Sequence, residues 1–445
     1  MRQLTKILIF TPKQSPRLTF TIYQVFTMWL GLSVEWTDNK ARYLNYHGVK
    51  INYSTATLFE GDLLIPASSF LKEKTIKNYP FTPYYYNKIP ALFPFPIKSA
   101  SFPFDILATI FFHLSRYEEY LSFQADEHGR FPASESWCSQ YGCLQLPVVD
   151  LLLSNLKHKL KENFLDLQFK EQKFGFLPTY DVDMAWAFKY KGWKRWLGGY
   201  AEDLQKGRWH FLKSRIKTQI NLQRDPFQTF ELLADWQQKY DLGAVYFFLL
   251  GDHSKYDKNN LPSNPHFQHL LVNIANRQNV GLHPSYLSNE KTSLLALEKK
   301  RLEGIIEKTI TCSRQHFLKL HLPTTYKRLI EAGFTMDYSM GYATDIGFRA
   351  GTSLPFYWYD LEKEERTALL IHPFQVMDVT LKDYLQLSPP QAKERVDNII
   401  KEIKAVNGIF CSLWHNSSFS EIGQWEGWEE VYIHLLNSSC DKKSE

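Results

Sequence analysis

The sequence predicts an α/β protein, with a parallel sheet or barrel in its C-terminal part and an α+β domain before it. The first observation is the rhythm from residue 172 onward, where short apolar runs alternate with stretches of helical spacing. Such alternation is typical of parallel strands covered by helices. The second is the length of 445 residues, which exceeds what one ordinary hydrophobic core holds. We therefore expect one domain over residues 1–170 and an α/β domain over residues 172–445.

Residues 1–170 mix strand and helix patterns, which predicts an α+β domain whose function the sequence does not indicate. Residues 19–32 have helical spacing of apolar positions, and residues 104–114 are strongly apolar and helical. Pro and Tyr crowd residues 80–103, which indicates an ordered but irregular connection. The predicted strands of this domain are residues 6–11, 51–54 and 63–66.

The second domain repeats the strand–helix unit several times. Functional residues in such folds gather at the C-terminal ends of the strands. The predicted strands are residues 174–180, 244–250, 281–283, 309–313, 334–337, 369–372 and 408–415. The predicted helices are residues 227–240, 267–278, 293–308, 323–332 and 389–406.

Composition and charge exclude several classes of protein. The net charge of +5 is too weak on a chain of this length to indicate binding to nucleic acid. The five cysteines are scattered without a C-x-x-C pair, so neither a disulfide framework nor a zinc ribbon is expected. The apolar run at residues 7–10 is too short for a signal peptide, and no later run approaches a membrane span. We therefore expect a reduced, cytoplasmic protein.

One insertion, residues 188–224, departs from the strand–helix rhythm. It carries ten Lys and Arg against only Glu202 and Asp203, with three Trp interleaved. A basic aromatic segment of this kind suits peripheral contact with an anionic membrane surface or with an acidic glycan. A solvated helical hairpin beside the site is the alternative.

Titratable side chains recur where the predicted strands end. Asp181 and Asp183 end the first strand of the second domain, and their i, i+2 spacing points both to one face. Two adjacent acids repel each other, which is a common arrangement in catalysis, although an Asp-rich turn is the alternative. Carboxylates and imidazoles together can hold a divalent ion for metal-assisted hydrolysis. The later strand ends carry His253, His283, Arg314, His316, Asp337, Arg349, His372 and His415.

The order of these motifs resembles the NodB-homology polysaccharide deacetylases, a family with a distorted (β/α) barrel. Residues 179–183, Thr-Tyr-Asp-Val-Asp, are similar to the family's first motif, which implies Asp181 as the catalytic base and Asp183 as a metal ligand. Residues 283–287, His-Pro-Ser-Tyr-Leu, occupy the place of its metal-binding histidine pair, which implies His283 as a second ligand.

The remaining motifs extend the resemblance. Residues 314–317, Arg-Gln-His-Phe, are similar to the third motif, which implies that Arg314 braces the base. Residues 413–415, Leu-Trp-His, fit the last motif and imply His415 as the general acid. Residues 115–120, Ser-Arg-Tyr-Glu-Glu-Tyr, look like an uncharacterised domain that precedes such deacetylases in Bacteroidetes-type proteins.

The sequence departs from the family pattern at the predicted metal ligands. Leu287 stands where the family has its second metal histidine, and leucine cannot ligate. His316 lies two residues beyond Arg314 and is the first choice for the missing ligand, with His372 as the alternative. The implied cofactor is a divalent metal, Zn in the first place, with Co or Ni as alternatives.

Three residues are candidates for binding substrate, namely Arg349, Tyr286 and Trp414. Arg349 could equally anchor its own loop. The resulting hypothesis is a hydrolase that deacetylates an N- or O-acetylated sugar or polysaccharide precursor, so it would cleave a non-peptide carbon–nitrogen bond or an ester. Its partner would be an acetylated glycan or a glycolipid-linked saccharide. The competing hypotheses are a catalytically silent carbohydrate-binding or scaffold protein on the same barrel, and a metal-free glycosidase that uses Asp181 or Asp183.

Overall fold

The computed structural model describes residues 6–420 and 422–440, apart from the side chain of Lys194. Its strands are β1 (Lys6–Phe10), β2 (Ser33–Thr37), β3 (Val49–Ser54), β4 (Leu64–Pro66), β5 (Tyr84–Tyr86), β6 (Ile89–Ala91), β7 (Gly175–Val182), β8 (Val245–Leu249), β9 (Asn279–His283), β10 (Cys312–Ser313), β11 (Met336–Asp337), β12 (Phe356–Asp360), β13 (Glu365–Ile371), β14 (Val376–Met377) and β15 (Ile409–His415). Its α-helices are α1 (Pro16–Ile22), α2 (Lys40–Leu44), α3 (Ile106–Leu114), α4 (Trp137–Gln140), α5 (Val148–Asn163), α6 (Trp193–Gln205), α7 (Trp209–Gln219), α8 (Phe230–Tyr240), α9 (Pro265–Ala275), α10 (Thr292–Ile306), α11 (Thr324–Glu331), α12 (Pro389–Ala405) and α13 (Glu429–Ser439).

The N-terminal part contains a four-stranded sheet in the order β2-β1-β3-β4, and each of its strand pairs is parallel. A separate antiparallel pair is formed by β5 and β6. The parallel order of the larger sheet was not predicted from the sequence. The helical segment α1, which continues as a π-helix over Tyr23–Trp29, crosses from β1 back to the start of β2 and so makes the pair parallel. The sequence analysis missed β2 because four of its five residues are only partly buried, so it lacks an apolar run.

The second sheet has nine strands in the order β12-β13-β11-β10-β9-β8-β7-β15-β14. Its strand pairs are parallel except β12–β13, which is antiparallel. β13 is the second strand from one edge of the sheet, and β14 forms the opposite edge. Along the chain, however, only residues 372–375 separate these two strands. The sheet must therefore curl into a half-barrel, so that its two ends come close together.

The strands and helices predicted for this part are confirmed. The seven predicted strands are β7, β8, β9, β10, β11, β13 and β15, and the five predicted helices are α8 to α12. β8 is buried at every position, as expected for a central parallel strand. α12 begins at a capping box between Ser388 and Gln391 and turns an apolar face inward. The prediction missed β12, which forms an antiparallel hairpin with β13, and β14, which has only two residues.

The two sheets share one continuous hydrophobic core, and buried polar contacts join them. The Arg17 guanidinium, on α1, donates from Nε to Glu364 Oε2 at 2.9 Å in the β12–β13 turn. Asp150, on α5, accepts from the backbone N–H of Ser353 at 2.8 Å. No helix within the described residues is both long enough and apolar enough to cross a bilayer.

Candidate functional site

The strand register brings the sequence-predicted acids and histidines together at one end of the second sheet. β7 lies between β8 and β15, and Asp181 is paired in register with His415 of β15. His283 is the last residue of β9, and Arg314 and His316 follow directly after β10. Because these strands are parallel, their C-terminal residues meet at the same end of the strands.

Asp183, His283 and His316 form a cluster that could hold a metal ion, since their ligand atoms all lie within 4.8 Å of one another. The Nε2 atom of His283 is 3.3 Å from Asp183 Oδ1, and the Nε2 atom of His316 is 3.7 Å from the same oxygen. Asp183 Oδ1 is buried and has no hydrogen-bond partner among the described residues. Burial by itself would raise the pKa of Asp183, but the facing His316 and His283 outweigh it and hold this pKa well below the usual range.

The other ring nitrogen of each histidine is occupied, which orients the imidazoles. His283 Nδ1 lies 2.6 Å from the carbonyl oxygen of Arg314, so it donates there and leaves Nε2 facing Asp183. His316 Nδ1 lies 2.9 Å from Asp257 Oδ1. Burial lowers the pKa of His316, but Asp183 and Asp257 raise it to about 9, so a cation binding here displaces a proton. Oriented imidazoles of this kind are typical of metal ligands.

The turn that carries His316 has a strained backbone. Phe317 and Leu318 both adopt positive φ, at 58° and 52°. Arg130, from the N-terminal part, donates from Nη1 to the carbonyl oxygen of Phe317 at 2.7 Å and from Nε to Asp126 Oδ2 at 2.7 Å. The N-terminal part therefore supports the turn that positions His316.

Asp181 is paired with a buried arginine beneath the cluster. Arg314 Nη1 donates to Asp181 Oδ1 at 3.1 Å and to Thr179 Oγ1 at 2.7 Å, and Nε donates to the carbonyl oxygen of Tyr338 at 3.0 Å. Its guanidinium carbon lies 4.7 Å from the centre of the Phe247 ring. The second carboxylate oxygen of Asp181 is 3.7 Å from His283 Nε2. This arrangement keeps one oxygen of Asp181 directed at the site and holds the other on Arg314.

His415 approaches the cluster from the opposite side. Its Nε2 atom is 3.9 Å from Asp183 Oδ2, and its Nδ1 atom is 2.9 Å from Asp378 Oδ1. Asp378 is fully buried and also accepts from the backbone N–H of His415 at 2.7 Å. Burial lowers the pKa of His415, but Asp378, Asp183 and Asp181 raise it to about 10. The imidazolium is therefore the stable form at neutral pH and can donate a proton from Nε2.

These groups open into a pocket of about 180 Å³. Its polar lining residues include Arg130 and Gln315 as well as the acids and histidines. The apolar side chains are Phe317, Leu318, Ala343, Met377, Val379 and Leu413.

Two residues predicted to bind substrate lie outside this pocket. Trp414 is fully buried on the outer face of β15, where its ring centre is 5.1 Å from that of Tyr432. It points away because side chains alternate along a strand, and Leu413 and His415 take the inner face. Tyr286 is buried too, with its ring stacked at 4.1 Å on Tyr256. Neither side chain is therefore placed to hold a sugar in the pocket.

Arg349 and His372 contact residues outside the metal-ligand cluster instead. Arg349 is 2% exposed and donates from Nη2 to Glu119 Oε2 at 2.7 Å and from Nε to Glu119 Oε1 at 2.9 Å, so it anchors its loop to the N-terminal part. The His372 ring stacks on Tyr338 at 4.4 Å, and the metal-ligand cluster found in the described residues does not include it. Burial lowers the pKa of His372 to about 4.

Sequence reasoning missed three residues of the site, namely Asp257, Asp378 and Arg130. Asp257 lies in a polar loop after β8, and Asp378 follows the two-residue strand β14. Arg130 belongs to a charged stretch, residues 126–130, and pairs with Asp126 of the same stretch. A carboxylate within the loop after a strand was the available signal for both acids, but many loops carry one.

Known proteins resemble this chain only in part. Residues 7–165 match the model of a family of unknown function, DUF7033. No curated protein matches the chain.

Several solved structures resemble part of this chain at low identity. They include a candidate polysaccharide deacetylase from Mycobacterium smegmatis, with 13% identity, TM-score 0.39, and coverage of 60% of this chain and 85% of that one. A polysaccharide deacetylase from Bacillus cereus has 12% identity, TM-score 0.30, and coverage of 60% and 87%. A CE4 family pseudoenzyme from Bacillus anthracis has 12% identity, TM-score 0.29, and coverage of 61% and 63%. With TM-scores this low, the evidence for function is the geometry of the site itself.

Proposed function

We propose that this protein is a metal-dependent hydrolase that removes acetyl groups from N- or O-acetylated sugars. One observation carries the proposal: Asp183, His283 and His316 offer three ligand atoms within 4.8 Å of one another, directly beside Asp181 and His415. A carboxylate and two imidazoles suit a divalent metal, and three protein ligands leave a position open for substrate or water. The cluster thus supplies the third ligand that Leu287 cannot provide.

The donor set fits Zn²⁺, with Co²⁺ or Ni²⁺ as alternatives. The unpartnered Oδ1 atom of Asp183 supports this fit, because a buried acceptor without a partner is costly unless a cation satisfies it. The hydrogen bonds at Nδ1 of both histidines support it as well. When bound, the metal supplies Lewis acidity to a substrate carbonyl and to a water molecule.

Asp181 is the proposed general base. Its Oδ2 atom faces the cluster and accepts a proton from the attacking water, while Arg314 holds Oδ1 and so fixes the orientation of the carboxylate.

His415 is the proposed general acid. Its protonated Nε2 faces the site, and it donates that proton to the departing nitrogen or oxygen of the sugar. Asp378 holds Nδ1 and stabilises the imidazolium, which is the role that a carboxylate plays beside many catalytic histidines.

The pocket suits an acetyl group. Its volume of about 180 Å³ is small for a whole oligosaccharide, so the acetyl group enters and the rest of the glycan remains outside. The apolar wall around Leu318, Met377 and Leu413 provides contacts for the methyl group. The substrate is accordingly an acetylated glycan, either free or linked to a glycolipid.

The test combines metal content with acetate release. Protein purified without added metal is analysed by elemental mass spectrometry, and acetate is then measured after incubation with N-acetylated and O-acetylated oligosaccharides. We expect one metal per chain after reconstitution, acetate release, and loss of release with a chelator. No metal uptake and no release would favour a silent binding protein, whereas chelator-insensitive glycosidic cleavage would favour a metal-free glycosidase.

A further inference from the structure

The helices α6 and α7, which form a hairpin, turn apolar side chains toward solvent. On α6 the apolar residues 193, 196, 197, 200 and 204 follow the i, i+3, i+4 spacing of a single helix face. In a surface helix that face normally packs on the core, yet here Trp193 is 70% exposed. The exposed large apolar residues of the hairpin are Trp193, Trp196, Leu197, Leu204, Trp209, Ile216, Ile220 and Leu222.

These residues are concentrated rather than scattered. In the described part of the chain, half of the large hydrophobic side chains that are exposed lie within residues 193–222. Trp209, at the start of α7, is 67% exposed, and Leu222, just after α7, is 74% exposed. Isolated exposed apolar residues need no explanation, but a cluster of this kind marks an interaction surface.

The hairpin has an excess of positive charge. Its acids are neutralised locally, because Asp203 pairs with Arg215 at 2.8 Å and Glu202 pairs with Lys206 at 2.9 Å. Lys213 and Lys217 are exposed and have no ion-pair partner within residues 6–420 and 422–440. Both lie on α7, and Lys217 directly follows the exposed Ile216. Lysines beside exposed Trp and Ile complement a surface that is apolar inside and anionic at its boundary.

The hairpin is firmly attached at the edge of the sheet that carries the site. Buried Asp225 accepts from the backbone N–H groups of Ala187 and Phe188, at 2.6 and 2.8 Å, and so closes the base of the hairpin. Arg195, on α6, donates to the carbonyl oxygens of residues 258 and 259, at 2.7 and 2.9 Å. Those two residues directly follow Asp257, which holds His316. The exposed face is therefore fixed beside the candidate site.

We propose that this hairpin docks onto an anionic lipid bilayer, with Trp193 and Trp209 in the interfacial region and Lys213 and Lys217 at the lipid phosphates. Aromatic and aliphatic side chains supply the apolar contact, and the lysines add electrostatic attraction to anionic lipids. Docking in this way places the site next to the membrane surface. On the basis of the proposed function, the favoured substrate is then an acetylated saccharide attached to a lipid.

The test is co-sedimentation of the full chain with vesicles. One set contains phosphatidylcholine with phosphatidylglycerol, and the other contains phosphatidylcholine alone. We expect binding to the anionic vesicles that weakens at high salt, because surface electrostatics are screened. The double variants Trp193→Ala/Trp209→Ala and Lys213→Glu/Lys217→Glu should each lower the partition coefficient by about tenfold or more.

Matched controls come from elsewhere on the surface. Leu44→Ala/Leu165→Ala removes two exposed apolar side chains, which are 44% and 89% exposed, and Lys300→Glu/Lys401→Glu reverses two exposed lysines. Both controls should bind like the wild type, and circular dichroism establishes that each variant is folded.

Three outcomes would overturn the proposal. They are no binding of the wild type to anionic vesicles, equal loss in the control variants, or a solution dimer that Trp193→Ala/Trp209→Ala dissociates without any vesicle binding. Vesicle binding requires no turnover, so its presence without acetate release would count against the proposed function alone. Full acetate release from a soluble substrate without vesicle binding would count against the docking surface alone.

Discussion

His316 donates its Nδ1–H to Asp257, with 2.9 Å between Nδ1 and Oδ1, and so turns its Nε2 atom toward Asp183. Fifty-nine residues separate the two in sequence. This contact makes His316 the third potential ligand of the cluster, in a chain where Leu287 occupies the place expected for one.

Asp257→Asn should weaken metal binding about 10- to 100-fold, because it removes the carboxylate that orients His316 and raises its basicity. Competition titration with a chromogenic chelator measures the affinity. Asp252→Asn, which changes an exposed acid in the same loop, is the control and should bind metal like the wild type. Unchanged affinity in Asp257→Asn would remove His316 from the ligand set.

His316→Ala should lose stoichiometric metal, whereas His372→Phe should retain it. His316 lies in the cluster with Asp183 and His283, and His372 is stacked on Tyr338 outside that cluster. Phe preserves the aromatic stacking, so His372→Phe tests ligation rather than packing. The measurement is the number of metal ions bound per chain after dialysis. The reverse pattern would identify His372 as the ligand.

Asp181→Asn should keep the fold and the metal but reduce acetate release by about 10²- to 10⁴-fold, the usual contribution of a general base. The amide keeps the shape of the side chain, and Arg314 can still donate to its oxygen. Elemental analysis and the melting temperature serve as controls on the same sample. Wild-type turnover in this variant would exclude Asp181 as the base.

Arg349→Met should destabilise the protein by about 3 kcal/mol, because it leaves Glu119 buried with Arg116 as its remaining partner. Urea unfolding measures this difference. If Arg349 anchors its loop, Arg349→Met/Glu119→Leu should recover part of the loss, since no unpaired buried charge remains. A fully stable Arg349→Met variant with a raised KM would return Arg349 to the role of substrate binding.

Asp150→Asn should remove part of the pH dependence of stability. Burial raises the pKa of Asp150 to about 6, despite the hydrogen bonds that it accepts from Ser353 and Thr352. The unfolded value is about 3.9, so between about pH 4 and pH 6 the native state keeps a proton that the unfolded state has lost. This contribution is therefore complete below about pH 4 and disappears as the pH rises through 6, by at most about 3 kcal/mol.

The measurement for Asp150 is urea unfolding at pH 4 and pH 7 for the wild type and the variant. The free energy of unfolding should fall less between these pH values in Asp150→Asn than in the wild type. Asp166→Asn changes an exposed acid and should follow the wild type. Identical slopes in Asp150→Asn and the wild type would contradict the prediction.

Much of the nine-stranded sheet could be predicted from the sequence, because parallel strands buried on both faces leave continuous apolar runs. β8 and β15 are such runs, and the polar residues that follow them mark the edge where the site lies. Strand β2 could not be read in this way, since it is only partly buried, and β14 is too short to leave a pattern. The parallel order of the N-terminal sheet was therefore not predicted.

The sequence by itself determined which residue types stand at the strand ends, and the period of two along β7 placed Asp181 and Asp183 on one face. Only the tertiary structure decided which of these residues meet. It brings His316 and not His372 to Asp183, turns Trp414 outward, and pairs Arg349 with Glu119. The physical reason is that these contacts join segments far apart in the chain, and strand register, sheet curvature and the packing of the two parts against each other set them. None of these three leaves a local pattern in the sequence.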